Sequence, residues 1–310
     1  GARKIYFNKG GTLTAFNYSN LTAAGLNSYF DNFCSKSVTP SQCTALAAES
    51  TTTDKDLANN GGNLVNYLVG VRSYEAKVAA ASSGVSATNM ALYRTRTHVL
   101  GDIVNGAPVY IGKPPFAYTD SGYADFKTAQ ASRTPVVYAA ANDGMLHAFS
   151  AAAGSAGGKE LWAFVPTAVI PNLYKLANAS YSTNHQFFVD GAPVMGDVYI
   201  NSRWRTLLVG GLNDGGQSYY ALDITDPANP SLLWEFTDTN LGLSYGNPVI
   251  TKRKDGTWVV VFSSGYNNTG GDGNGHLFVV DAATGSKLLD IPTYTSGTTK
   301  AGSATTPSGL

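Results

Sequence analysis

One short pattern occurs four times along this chain and constrains its fold more than any other feature. It consists of an apolar run, a turn built on Gly, Asn or Asp, and an alternating second strand. Residues 5–16 carry it first, and residues 136–149 carry it again around Asn142-Asp143-Gly144, strong hairpin chemistry. A third copy, residues 206–223, turns at Asn213-Asp214-Gly215-Gly216, and a fourth pairs residues 258–262 with 276–281. Each of the last three is preceded by a Gly-x-Pro-Val lead, as in Gly106-Ala107-Pro108-Val109, Gly191-Ala192-Pro193-Val194 and Gly246-Asn247-Pro248-Val249. Proline is tolerated at the first residue of a strand because the ladder does not need its missing N–H. Each is followed by an apolar strand, at 161–164, 233–236 and 288–291. A unit of strand A, a B–C hairpin and strand D, repeated in tandem, predicts an all-β chain of four-stranded antiparallel β-propeller blades. A parallel sheet would need helices between its strands, and few segments carry helical periodicity.

The pattern divides the chain. Residues 1–19 hold a hairpin standing alone, and 20–97 form a helical and loop insertion. Within the insertion, 20–33 and 62–78 have apolar residues at helical spacing, as in Leu64, Val65, Leu68 and Val71, and 82–87 read as a linker. Blades are expected over 98–166, 187–238 and 244–293, with 294–310 a flexible tail or the start of a further blade. Rings take about four to eight blades, so three blades and a hairpin predict part of a longer propeller, with a C-terminal blade borrowing the first hairpin to close it.

Charge narrows the function classes. Charged residues are 14% of the chain, with Lys+Arg and Asp+Glu at 21 each. There is no net basic field for a nucleic-acid backbone and no polybasic run for an anionic membrane. No apolar stretch approaches the ~18–20 residues of a bilayer span. The two cysteines, Cys34 and Cys43, flank a polar Ser/Thr-rich loop, and the scattered histidines offer no zinc spacing. A disulfide is the expected pairing, which places the chain in an oxidising compartment.

Catalytic chemistry is weakly signalled. No Gly-x-Ser-x-Gly elbow is present, His147 sits inside a predicted strand as a structural histidine, and Asp143 and Asp214 read as turn residues. The one segment of metal-like composition is 267–275, where Asp272 and Asn274 are candidate calcium ligands. The EF-type pattern fails beyond them, at His276, Leu277 and Ala283.

Asp281-Ala282-Ala283-Thr284-Gly285-Ser286-Lys287 resembles the turn of quinoprotein-type propellers, which with the strand D tryptophans Trp162 and Trp234 docks adjacent blades. The adjacent cysteines of a quinone-dependent dehydrogenase are not present. The run Leu100-Gly101-Asp102-Ile103-Val104-Asn105, with Ala141-Asn142-Asp143-Gly144-Met145-Leu146-His147-Ala148-Phe149, Arg3-Lys4-Ile5-Tyr6 and the 63–73 segment, resembles the C-terminal propeller of PilC/PilY-type proteins, type IV pilus tip adhesins and assembly factors. The resemblance implies a non-enzymatic, secreted or surface-exposed propeller at the pilus tip, exported through the periplasm and outer membrane. Contacts with minor pilins, and with a host or abiotic surface, would serve assembly, adhesion and twitching motility. It implies no cofactor in this segment, and it places the family's calcium loop in a later blade. Members often carry Arg-Gly-Asp in the insertion, whereas Val69-Gly70-Val71-Arg72 stands here. The competing expectations are a quinoprotein-like periplasmic dehydrogenase and a scaffold propeller of an outer-membrane assembly machine.

Overall fold

The computed structural model describes residues 3–48, 52–75, 91–297 and 299–310. The chain opens with the hairpin β1 (Ile5–Lys9) and β2 (Thr12–Ala15). Among the described residues four short helices follow: α1 (Tyr18–Ala23), α2 (Cys43–Ala48), α3 (Thr52–Asn59) and α4 (Gly61–Leu68). Asn17 and Asn60 cap the first and last of these by accepting from Asn20 N and Asn63 N. The first expected helix stops early, because Gly25 takes a positive φ and the chain continues through single 3₁₀ turns. The second ends before Gly70, also at positive φ, and its expected end at 76–78, like the 82–87 linker, lies outside the described residues. α2 and α3 were not expected, because helices of six and eight residues are too short to show a period.

Each Pro-led segment then delivers the first strand of a blade. The first blade is β3 (Val109–Ile111), β4 (Val136–Ala141), β5 (Met145–Ser150) and β6 (Glu160–Val165). The second is β7 (Val194–Ile200), β8 (Arg203–Gly211), β9 (Tyr219–Asp223) and β10 (Ser231–Phe236). The third is β11 (Val249–Lys252), β12 (Trp258–Ser263), β13 (His276–Asp281) and β14 (Lys287–Pro292). Within each blade the pairing is antiparallel and sequential, and the sheets do not close into a ring.

The N-terminal hairpin does not stand alone. β1 pairs in parallel with β6, Ile5 opposite Ala163 and Phe7 opposite Val165, so the first sheet runs β2-β1-β6-β5-β4-β3. This pairing satisfies the outer edge of β6, which would otherwise present unpaired backbone groups. It also carries Phe7 into a fully buried position edge-on to Phe16, which in turn meets Phe30 of the insertion. Hairpin, insertion and first blade therefore share one core. The corresponding strand of the third blade, β14, keeps a free edge among the described residues and leaves Leu288, Leu289 and Ile291 exposed.

Ionic pairing reinforces the hairpin's position. Arg3 places Nε and Nη2 on the two Glu160 oxygens, at 2.6 and 2.7 Å, and Glu160 Oε1 also bonds His147 Nδ1 at 2.7 Å. The other ring nitrogen meets Asp143 Oδ1 at 3.0 Å. Burial by itself would lower the imidazole pKa, but the flanking Asp143 and Glu160 carboxylates outweigh it and hold His147 at about 9. Burial likewise works against Glu160, yet Arg3 and His147 bring its carboxyl down to about 2.

Neighbouring blades are joined by their tryptophans. Trp162 of β6 donates its indole N–H to Pro227 O at 2.8 Å, in the β9–β10 turn, and Trp234 of β10 donates to Ala282 O at 3.0 Å, in the β13–β14 turn. The turn in the third blade is folded by Asp281, whose Oδ1 accepts from Ala283 N, Thr284 N and Thr284 Oγ1. Gly285 is required there, since a Cβ would sit 2.6 Å from the Trp234 ring. Ring contacts continue the seam, with Phe164 on Tyr220 at 5.5 Å and Tyr219 stacked on Phe262 at 4.0 Å. The β3–β4 connection carries a helix missed in the sequence, α5 (Tyr123–Ala129), with only Tyr123 and Phe126 buried. Tyr118, in the same connection, meets Trp204 of the second blade and Trp258 of the third, so this segment straps all three blades.

The Cys34–Cys43 disulfide is present, with Cα atoms 5.4 Å apart. The terminal segment, expected to be flexible or to begin another blade, is tied back onto the third blade. β15 (Tyr294–Ser296) and β16 (Thr299–Lys300) form a ribbon, Gly275 N donates to Ser308 Oγ, and Gly265 and Leu310 exchange backbone bonds.

Three outcomes follow from this packing. Replacing Trp234 with Phe keeps the ring but strands the buried Ala282 carbonyl, so denaturant midpoints should fall by about 1–3 kcal/mol of stability; an unchanged midpoint would refute the lock. His147 is bound more tightly to its proton in the folded state, so its contribution is complete below about pH 6.5 and disappears as pH rises through 9. That loss should be visible as a melting temperature that falls over this window and that His147→Gln flattens. Cys34→Ser should cost no more than about 3 kcal/mol, the model loop entropy of a short bridge, read from the shift in unfolding midpoint.

Candidate functional site

The face where the insertion meets the first blade is built around residues 98–106, a segment without regular secondary structure. The segment is held by the B–C turn of the first blade and by Asp190, in the lead-in to β7. Gly101 N donates to Asp143 Oδ2 at 3.1 Å, while Asn142 gives its N–H and its amide to Asp102 O and Oδ2, at 2.9 and 2.8 Å. Asn105 donates through N and Nδ2 to the buried Asp190 carboxylate, at 3.0 and 2.7 Å, and Asn213 donates to Asp190 O at 2.9 Å. Gly101 lies so close to the turn that a Cβ would come within 2.3 Å of Asp143 N. Asp143 is therefore more than a turn residue, because one carboxylate holds this segment and His147 together. Asp214 remains an exposed turn residue.

Two cavities adjoin across Val99 and Leu100. One, of about 460 Å³, lies over Val71 and Phe149 with the Arg3–Glu160 pair at its wall. The other, of about 120 Å³, is lined by Tyr67, Arg94, His98 and Tyr181, with Asp102 and Asp143 also reaching it. Apolar side chains are exposed on and beside this segment, at Val71, Leu100, Ile103 and Val104. Neither cavity was legible from the sequence. A signal existed in Arg94-Thr95-Arg96-Thr97-His98, an alternating basic run in a chain poor in charge.

The basic groups here differ in how they are used. Arg96 is buried over the Tyr67 ring at 3.7 Å and paired with Glu75, at 2.9 and 2.7 Å. Arg94 lies over the Tyr181 ring at 4.7 Å and gives Nε to Leu176 O at 2.9 Å. It has no carboxylate partner within ion-pair distance among the described residues.

The structure also answers the earlier candidates. Asp272 and Asn274 are brought together, but as an anchored turn. Asp272 Oδ1 accepts from His276 Nε2 and Asn274 N, at 2.9 Å each, and Oδ2 accepts from Asn274 Nδ2 and Lys300 Nζ, at 2.7 and 3.1 Å. Asn274 Oδ1 accepts from Gly302 N. Burial works against the Asp272 carboxylate, but His276, Asn274 and Lys300 hold it well below the usual range. With these oxygens committed to N–H donors, the pair does not fit calcium. Local geometry matches that of the first blade: a carboxylate four residues before a histidine, whose Nδ1 meets a strand D carboxylate, here Asp290. Of the tyrosines, Tyr123 and Tyr181 are buried, bonded to Asp197 and Gln186 O, and Tyr118 is half-buried in the aromatic strap. Tyr110 and Tyr266 are the more exposed rings, at 65% and 59%.

A family profile described as the PilY1 beta-propeller domain matches residues 100–303. A type IV pilus biogenesis factor PilY1 homolog of Xylella fastidiosa is 41% identical over 240 residues, covering 74% of this chain and 18% of that protein. Type IV pilus biogenesis factor PilY1 of Pseudomonas aeruginosa strain PAK is 38% identical over 220 residues, covering 67% of this chain and 18% of that protein. The crystal structure of the P. aeruginosa PilY1 C-terminal domain shares 33% identity and a TM-score of 0.48, covering 61% of this chain and 37% of that one. The chain thus spans about 18% of the length of these curated relatives. A profile match over more than half of the chain, and relatives near 40% identity over two thirds of it or more, establish that it belongs to the PilY1 β-propeller family.

Proposed function

We propose that this chain is the propeller part of a type IV pilus biogenesis factor, exported to the cell surface and working at the pilus tip by binding, without turnover. Minor pilins are its partners in assembly, and through the tip it contributes to surface attachment and twitching motility. The observation that carries this reading is the level of identity to two proteins named as type IV pilus biogenesis factors. Chemistry at the site agrees with binding. His147 and His276, the buried histidines a hydrolytic or redox site would draw on, have both ring nitrogens committed to carboxylates. The exposed apolar rim around Leu100 and Val104, set on a braced segment, suits protein contact.

The test is genetic and biochemical. Removing the coding sequence for residues 98–293 in the protein's own host should abolish or sharply reduce surface pili seen by electron microscopy, and shrink twitching zones. Photo-crosslinkers placed at Val104 should capture pilus subunits. Normal piliation and twitching in the deleted strain would overturn the assignment.

A further inference from the structure

We infer that the notch around Arg94 is a docking site for a protein segment carrying an acidic side chain beside an apolar one. Arg94 is pre-organised for an anion. Its backbone N–H bonds Ala177 O at 2.9 Å, its Nε bonds Leu176 O at 2.9 Å, and its plane lies over Tyr181. These contacts fix the guanidinium and leave the two terminal nitrogens for a ligand, the fork that grips a carboxylate.

The two carboxylates that line the notch already have hydrogen-bond partners, as do the neighbouring arginines. Arg72 and Arg96 share Glu75, Asp143 faces His147, and Asp102 accepts from His185 Nε2 and Asn142 Nδ2. Among the described residues Arg94 lies within ion-pair distance of no carboxylate, and the exposed His98 stands beside it. A cavity of about 120 Å³ has room for a carboxyl group but not for a large ligand. The larger cavity, about 460 Å³, begins across Val99 and Leu100 and presents Val69, Val71 and Phe149. One extended segment with an acidic residue next to an apolar residue fills both, the acid in the notch and the apolar group across the Leu100 wall. Because the guanidinium is already ordered, little side-chain entropy is lost on binding. This deepens the pilus reading by giving the surface that takes hold of a partner.

The test uses two probes on the purified intact chain, acetyl-Gly-Glu-Leu-Gly-amide and its Gln counterpart, titrated by NMR. Glu peptide is expected to shift resonances of Arg94, His98 and Leu100 and to bind about tenfold more tightly than Gln peptide, the discrimination expected of a charge-assisted hydrogen bond. Arg94→Gln should erase the difference, Arg94→Lys should retain part of it, and Leu100→Asp should weaken both peptides. Equal binding of the two peptides to the unaltered protein would overturn the proposal. So would displacement of the Glu peptide by equimolar acetate, which would indicate a simple anion notch. Peptide binding is read without pili, so it can fail while the pilus assignment stands, and the reverse.

Discussion

Two indole hydrogen bonds hold the architecture in register. A blade of four short strands has two apolar faces and cannot bury both alone, so every blade depends on the neighbour it meets. Trp162 and Trp234 reach from the outer strand of one blade to a backbone carbonyl in the C–D turn of the next, at 2.8 and 3.0 Å. Each bond is buried, so a blade that slipped would leave both an N–H and a carbonyl without partners. The turn chemistry is subordinate to this lock. Asp281 folds its turn so that Ala282 O points outward, and Gly285 keeps the turn thin enough for the Trp234 ring. The segment carrying α5 adds a second constraint by stacking Tyr118 against Trp204 and Trp258 of two further blades.

Several of this chain's few charges are paired within the fold. Buried ions are costly unless paired and hydrogen-bonded, and some here are gathered into groups. Arg3, Glu160, His147 and Asp143 tie the N-terminus to the first blade, and Glu75 with Arg72 and Arg96 ties the end of the insertion to the chain that re-enters it. Asp272, His276 and Asp290 repeat the carboxylate–imidazole–carboxylate arrangement in the third blade, extended by Lys300 and Lys287. Such groups brace loops that would otherwise be mobile. Residues 98–106 gain a defined shape from the turns below, and the two cavities keep a fixed wall between them.

The strands were legible in the sequence because their signals are local. Alternation, Asn-Asp-Gly turns and proline at a strand start each act within a few residues. The disulfide was legible for the same reason, nine positions separating its cysteines. α5 was not, since a seven-residue helix with two buried side chains shows no period. Arg94 and Glu160 were missed because their roles depend on partners far along the chain. Arg94 draws on carbonyls near residue 176, and Glu160 on Arg3, 157 positions away. The loop at 267–275 looked metal-like because calcium loops and tight turns use the same residues, and only the position of His276 and Lys300 separates them.

By itself, then, the sequence determined the blade: its strand order, its turns and the tryptophan with its docking loop, all set by periods and motifs of short range. It determined the resemblance that named a family, through a run at 100–105 whose residues bond the B–C turn of the first blade and Asp190 ahead of β7. Tertiary structure decided where the first hairpin goes. A free strand edge is satisfied by whichever partner geometry brings near, and β6 lay within reach of β1. It also decided which charges meet one another. That is a matter of distances across the fold, and it left the Arg94 guanidinium facing a cavity.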